Sequence, residues 1–191
     1  MEKENSTAKI KYNVFEGDLI IPKLKEGEVG INLGCGGMYI YGWTNCDKKD
    51  YEGSISFETD ETFDLDVFPY PLPSDNAEYI ILHHVIEHLE NPIKCINECY
   101  RMLKPGGKLI MHYPHYTSPM AYQPTHLRFL GKNCFNPGNI LFQNIKTKLL
   151  VSQFRKMKLL NKFINWIGNR YEKSIICYFF PAYEVQWEGI K

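Results

Sequence analysis

Short apolar runs and one amphipathic stretch alternate along the first two thirds of this chain. Residues 79–82 are continuously apolar, as in a parallel strand buried on both faces, and residues 29–33 read as a second buried strand. Residues 43–46 predict a short strand ending at Asp47, and residues 63–67 predict another. Asn91-Pro92 starts a helix, with a capping side chain followed by proline at the first helical position. Ile93, Ile96, Tyr100 and Leu103 then recur at helical spacing, and Pro105-Gly106-Gly107 stops the helix before a strand at 108–113. Strands alternating with helices predict an α/β sheet, mostly parallel, and residues 183–190 add an antiparallel edge strand.

The first connections are too thin for an ordinary doubly wound sheet. Residues 34–43 separate the first two strands, whereas a parallel crossover usually needs a dozen residues or more and a helix. The connection from Asp47 to Phe63 is similarly lean and polar. The reading is therefore a mostly parallel α/β sheet with shortened first crossovers. It is one domain over residues 1–191, with residues 1–28 as an N-terminal appendage.

Composition narrows the class. The 191 residues suit a single core, and 44% apolar and 23% charged content is ordinary for a soluble globular chain. The polar start Met1-Glu2-Lys3-Glu4 has no signal-peptide pattern, and six cysteines occur without a CxxC pair, so a cytoplasmic protein with free thiols is expected. Net charge is zero but uneven: residues 99–191 hold 3 acids and 14 bases. Such a basic half suits an anionic partner or substrate.

The chemistry begins at Gly30-Ile31-Asn32-Leu33-Gly34-Cys35-Gly36-Gly37. A strand running into clustered glycines lets backbone approach a ligand where a Cβ would clash. Asp47, at the tip of the next strand, can take both hydroxyls of a ribose. Tyr39 stands at the third glycine of the dinucleotide fingerprint, and no GK[ST] follows, so neither that fingerprint nor a P-loop is present.

Five segments in order resemble the small class I S-adenosylmethionine-dependent methyltransferases of the type 11 group. They are Ile31-Asn32-Leu33-Gly34-Cys35-Gly36, Gly42-Trp43-Thr44-Asn45-Cys46-Asp47, Asp66-Val67-Phe68-Pro69 with Tyr70-Pro71-Leu72-Pro73, Tyr79 through Leu89, and Arg101-Met102-Leu103-Lys104-Pro105-Gly106-Gly107. The resemblance covers residues 29–116 and implies S-adenosylmethionine as cofactor. By it, Gly34, Cys35 and Gly36 pass the methionine and ribose parts, and Asp47 holds the ribose. Asp66 and the Val67 N–H read the adenine edge, and His83 sits beside the methionine end. Asn32 replaces the commoner acidic residue, with an oxygen that can still accept from the cofactor's ammonium group.

The implied fold is a Rossmann-like class I methyltransferase sheet, and the implied activity is methyl transfer to a small-molecule or sugar-containing acceptor, including anionic ones. Ligands of open α/β sheets lie at the carboxyl ends of the strands, which puts His84 and His115 forward as general bases. Residues 117–145 read as an acceptor lid, with Arg128 and Lys132 able to meet a carboxylate or phosphate. Residues 156–170 carry Leu159, Leu160, Phe163, Ile164 and Ile167 beside lysines, a stripe that suits a core-facing helix or a membrane-surface helix.

Two other readings use the same residues. A catalytically silent cofactor-binding protein could act through a partner. His84-Val85-Ile86-Glu87-His88 also matches HxxEH, a zinc-hydrolase signature that needs a helix and a third ligand such as Glu172 or Glu184. That signature is short and matches by chance, so no metal is expected. No base-flipping signature or RNA-binding appendage points to nucleic acid.

Overall fold

The computed structural model describes residues 19–48, 58–151 and 158–191. Among the described residues seven strands form one sheet: β1 (Gly30–Leu33), β2 (Thr44–Asp47), β3 (Glu61–Thr62), β4 (Ala77–His83), β5 (Leu103–Pro114), β6 (Asn144–Leu150) and β7 (Glu184–Ile190). Their spatial order is β3-β2-β1-β4-β5-β7-β6. Only β7 runs against its neighbours, β5 on one side and β6 on the other. The 183–190 segment is thus antiparallel as predicted, but it lies inside the sheet, and β6 is the outer strand.

The alternation of side chains sorts the sheet's residues between two cores. Ile31, Leu33, Ile80, Leu82, Leu109 and Met111 point into the larger one, packed under α1 (Pro92–Met102). Ile81 and Ile110 point the other way, into a small cluster with Ile21, Ile40 and Trp43. That second face is covered by coil around Ile21 and by the 34–43 connection, with no helix between β1 and β2. Glycine is required at Gly30, because a Cβ there would come within 2.4 Å of the Trp43 indole.

Buried amides brace the connection that a helix would otherwise hold. The Asn45 side-chain oxygen accepts from the Ile40 N–H at 2.9 Å, and its Nδ2 donates to the Trp43 carbonyl at 2.9 Å. Asn32 Nδ2 donates to the Met38 carbonyl at 2.6 Å and to Asn45 Oδ1 at 3.0 Å. Asp60 accepts from the Asn45 N–H at 2.7 Å and from the Tyr39 hydroxyl at 2.8 Å, tying in the approach to β3.

Four predicted elements differ. β5 begins at Leu103, five residues before the predicted strand, and takes in Pro105-Gly106-Gly107. The 63–67 strand is absent. Pairing with β2 is confined to Glu61–Thr62, after which Asp64 Oδ1 accepts from the Asp66 N–H and folds the chain into a turn. β6 begins at the end of the predicted lid. The basic apolar helix is α2 (Lys158–Ile167), its first two predicted residues lying outside the described set. Ile164 alone of its stripe is fully buried, while Leu159 is 81% exposed and Phe163 is also exposed. Exposed Trp166, and Ile175, Tyr178 and Phe179 in and around α3 (Ile176–Phe179), extend this apolar surface. Among the described residues no helix is long and apolar enough to cross a membrane.

Candidate active site

A cavity of about 970 Å³ opens at the carboxyl ends of β1, β2 and β4. Gly34, Cys35, Gly36, Asp47, Asp66, Val67, His83 and His84 all line it. The glycine loop is formed by the left-handed backbone of Gly34 (φ +67°) and Gly36 (φ +45°), which other residues adopt only with strain. Asp47 Oδ2 accepts from the Gly36 N–H at 2.7 Å, fixing the β2 carboxylate against the loop. A Cβ on Gly36 would meet nothing within 4 Å, so the loop leaves open space there. An open glycine edge beside a strand-end carboxylate fits the ribose and methionine parts of S-adenosylmethionine.

Two other expected contacts, at Val67 and Asp66, are already engaged. The Val67 N–H donates to the Asp64 carbonyl at 3.1 Å and is not presented to the cavity. Asp66 lines the cavity but accepts from the Glu90 and Asn91 N–H groups at 3.0 and 2.8 Å, supporting the entry to α1. Asn32 is fully buried behind the loop and does not line the cavity; its Nδ2 braces Met38 and Asn45, while its Oδ1, the atom expected to accept from the cofactor, has no hydrogen-bond partner among the described residues. Cys35 is a weak acid here, pushed up to about 12 by burial and by Asp47.

His115 is also set apart from the cavity. Its Nε2 lies 3.0 Å from Glu172 Oε1 and its Nδ1 2.7 Å from Thr117 Oγ1, with the ring fully buried. Glu172 accepts from the Lys132 N–H as well, at 2.6 Å. Burial would raise the Glu172 carboxyl, but His115 and the Lys132 N–H hold it below the usual range. The group pins the 115–132 segment to the 168–172 turn, so His115 does not reach a cavity ligand. Arg128 donates to the Glu90 carbonyl at 2.8 Å, again a bond within the protein.

His84 sits on the cavity wall with a left-handed backbone (φ +54°). Its Nδ1 faces Glu87 Oε1 and its Nε2 faces Glu184 Oε2, both at 3.2 Å. Carboxylates only accept, so both ring nitrogens hold protons. Burial alone would lower its pKa, but the bonds to Glu184 and Glu87 push it up to about 9. An imidazolium has no lone pair with which to take a proton, which removes His84 as a general base near neutrality. His83 behaves in the opposite way: burial, then repulsion from His84 and His112, brings it down to about 3. The cavity wall therefore presents one charged and one neutral imidazole, 4.7 Å apart between centroids. Glu184, approached by His112 Nδ1 at 3.0 Å as well, ionises well below the usual range because these contacts outweigh burial.

This pair fixes a pH dependence. The stability His84 contributes is complete below its ordinary value of 6.5 and is lost as pH rises to about 9. A shift of that size is worth roughly 3 kcal/mol. The urea midpoint of the wild-type protein is expected to fall between these pH values. In His84→Asn, which tolerates the left-handed backbone, the fall should be absent.

The HxxEH segment does not form the helix a zinc hydrolase needs. Ile86–His88 is a single 3-10 turn, and His84 is held between Glu87 and Glu184 rather than facing His88. Val85 and His88 instead carry part of the cavity wall, opposed by Met120, Gln123, Thr125, His126 and Leu127 from the predicted lid.

Strand order, glycine loop and strand-end carboxylate together define a class I, Rossmann-like methyltransferase fold. Residues 47–111 match the family model described as Methyltransferase domain. A demethylmenaquinone methyltransferase of Chlamydia muridarum is 34% identical over 62 residues, 32% of this chain and 26% of that protein. The match thus spans about a quarter of the relative's length. Among solved structures, a SAM-dependent methyltransferase from Archaeoglobus fulgidus superposes with a TM-score of 0.57 at 17% identity, over 87% of each chain. Haemonchus contortus phosphoethanolamine N-methyltransferase 2, bound to phosphomonomethylethanolamine and S-adenosylhomocysteine, gives 0.55 at 16%, over 88% of this chain and 50% of that one. Over residues 47–111 the chain is thus similar to a methyltransferase domain, and its fold is that of the class I, S-adenosylmethionine-dependent methyltransferases.

Proposed function

We propose that this protein transfers a methyl group from S-adenosylmethionine to a small-molecule or sugar-containing acceptor. The observation that carries this is one cavity with two kinds of wall. Gly34, Cys35, Gly36 and Asp47 form the cofactor side, and His83, Met120, Gln123, Thr125 and Leu127 form the other. Its volume of about 970 Å³ is at the upper end for a ligand site, room enough for cofactor and acceptor together.

Bound S-adenosylmethionine supplies a methyl group already activated on a sulfonium. The chain's own work is alignment and the exclusion of water. Asp47 holds the ribose, and the glycine loop fixes the cofactor's long axis. His83, neutral at physiological pH, accepts or donates one hydrogen bond to the acceptor but is a poor proton acceptor. His84 stays charged and holds Glu87 and Glu184 beside it. A site without a strong base suits an acceptor whose nucleophile arrives reactive: a neutral amine, a carboxylate, or an ionised phenol or quinol. The basic second half of the chain favours anionic members of that set.

The test is S-adenosylhomocysteine production across a panel of amines, carboxylic acids, phenols, quinols and sugars. Turnover confined to one class is expected. Tight cofactor binding with no turnover on any of them would replace this reading with that of a silent cofactor-binding protein.

A further inference from the structure

Two histidines of the cavity wall and a carboxylate buried behind it converge without satisfying one another. One ligand atom from each of Glu87, His88 and His126 lies within 4.8 Å of the other two. Glu87 is fully buried, and its Oε2 has no hydrogen-bond partner among the described residues. His126 Nδ1 is buried and equally unpartnered. An unpaired buried carboxylate oxygen is costly, and a bare imidazole nitrogen close by does not relieve it.

We propose that Glu87, His88 and His126 form a site for a divalent cation of the zinc type. Two imidazoles and one carboxylate are a donor set that such ions accept, leaving one coordination position open. His88 is prepared for this: its Nδ1 lies 3.0 Å from the Thr125 carbonyl. A carbonyl only accepts, so Nδ1 carries the proton and Nε2 keeps its lone pair for a metal. A backbone carbonyl holding the distal nitrogen is the usual support for a ligating histidine. The His88 and His126 rings meet edge to face, with centroids 4.5 Å apart.

The spacing admits an ion. Some point lies within about 2.8 Å of all three atoms, against about 2.1 Å for a zinc–imidazole bond, so each ligand closes by no more than about 0.7 Å. The neighbouring trio His83, His84 and Glu184 is also close, but His84 and Glu184 are already bonded to each other.

Both histidines line the cavity, so the open position faces it. On the methyl-transfer reading, that position takes an anionic oxygen of the acceptor, such as a carboxylate, phenolate or quinol oxygen. The metal site itself stands independently of that reading.

The test uses the full chain, stripped with chelator and dialysed. Calorimetric titration with Zn²⁺ is expected to show one ion per chain, and Co²⁺ to give visible d–d bands without thiolate charge transfer. His126→Ala, partly exposed at the cavity wall, should weaken Zn²⁺ binding at least about tenfold while leaving the melting curve of the metal-free protein unchanged. Glu87→Gln should weaken it comparably, and His126→Ala alone decides if that variant fails to fold. Folded protein that takes up no Zn²⁺, uptake unchanged in His126→Ala, or a thiolate band would each overturn the site. Zn²⁺ uptake without S-adenosylhomocysteine binding would leave the site standing and sink the methyl-transfer reading.

Discussion

Asp47→Ala is expected to bind S-adenosylhomocysteine about a hundredfold more weakly than the wild type. The carboxylate is 5% exposed and touches the glycine loop through the Gly36 N–H. On the proposed reading it accepts from two ribose hydroxyls, and each hydrogen bond to a charged group contributes about 1.5–3 kcal/mol. Losing both gives a deficit of about 3 kcal/mol or more, before the loosened loop is counted. Asp47→Asn keeps one acceptor oxygen and should lie between the two. Calorimetry on the three proteins checks the order. An alanine variant that binds as tightly as the wild type would remove Asp47 from the cofactor site.

The second large effect separates two glycines that look equivalent in the sequence. At Gly34 a Cβ would lie 2.5 Å from Val85 Cγ2, on a backbone with φ +67°. Left-handed strain costs an alanine about 1–2 kcal/mol, and overpacking adds about 1–3. Gly34→Ala should therefore lower the urea-derived stability by about 2–5 kcal/mol. It also pushes Val85, and with it the His84 corner. Gly36 has the same handedness of backbone but open space in front of it. Gly36→Ala should cost only about 1–2 kcal/mol of stability. It should still reduce S-adenosylhomocysteine binding by more than tenfold, since the new methyl group occupies the cofactor's path. Gly34 thus serves the packing of the loop and Gly36 the approach of the ligand.

Much of this was legible because it rests on local rules. Clustered glycines after a buried strand, Pro92 opening an apolar helical stripe, and the continuous run at 79–82 each have a single good interpretation, although the Asn91 side chain makes none of the expected capping bonds. What failed depended on distant partners. Phe63 and Leu65 look strand-like in isolation, but Phe63 packs on the Tyr70 ring at 5.2 Å and Asp64 turns the chain. β6, with lysines and threonine alternating along an outer strand, carries little hydrophobic signal to announce it. His115 sits at the end of β5 as expected, yet Glu172, 57 positions later in the chain, takes its Nε2. No spacing rule links those two residues. His84 was recognised as a site residue, but its charge state is set by Glu184, 100 positions away. The pairing of His88 with His126 was likewise invisible until the 116–130 segment was seen folded over the Ile86–His88 turn.

The insertion of β7 between β5 and β6 bears on how the protein is made. β6 is synthesised before β7, yet every backbone bond it makes within the sheet goes to β7. Until residues 184–190 leave the ribosome, β6 and the edge of β5 have no strand to pair with among the described residues. The five strands from β3 to β5 can assemble during translation, whereas the β6 flank must wait for the whole stretch 151–183 to be added. For that interval the nascent chain carries an open strand edge of the kind that invites pairing with another chain. A ribosome stalled between β6 and β7 would hold its nascent chain in that vulnerable state.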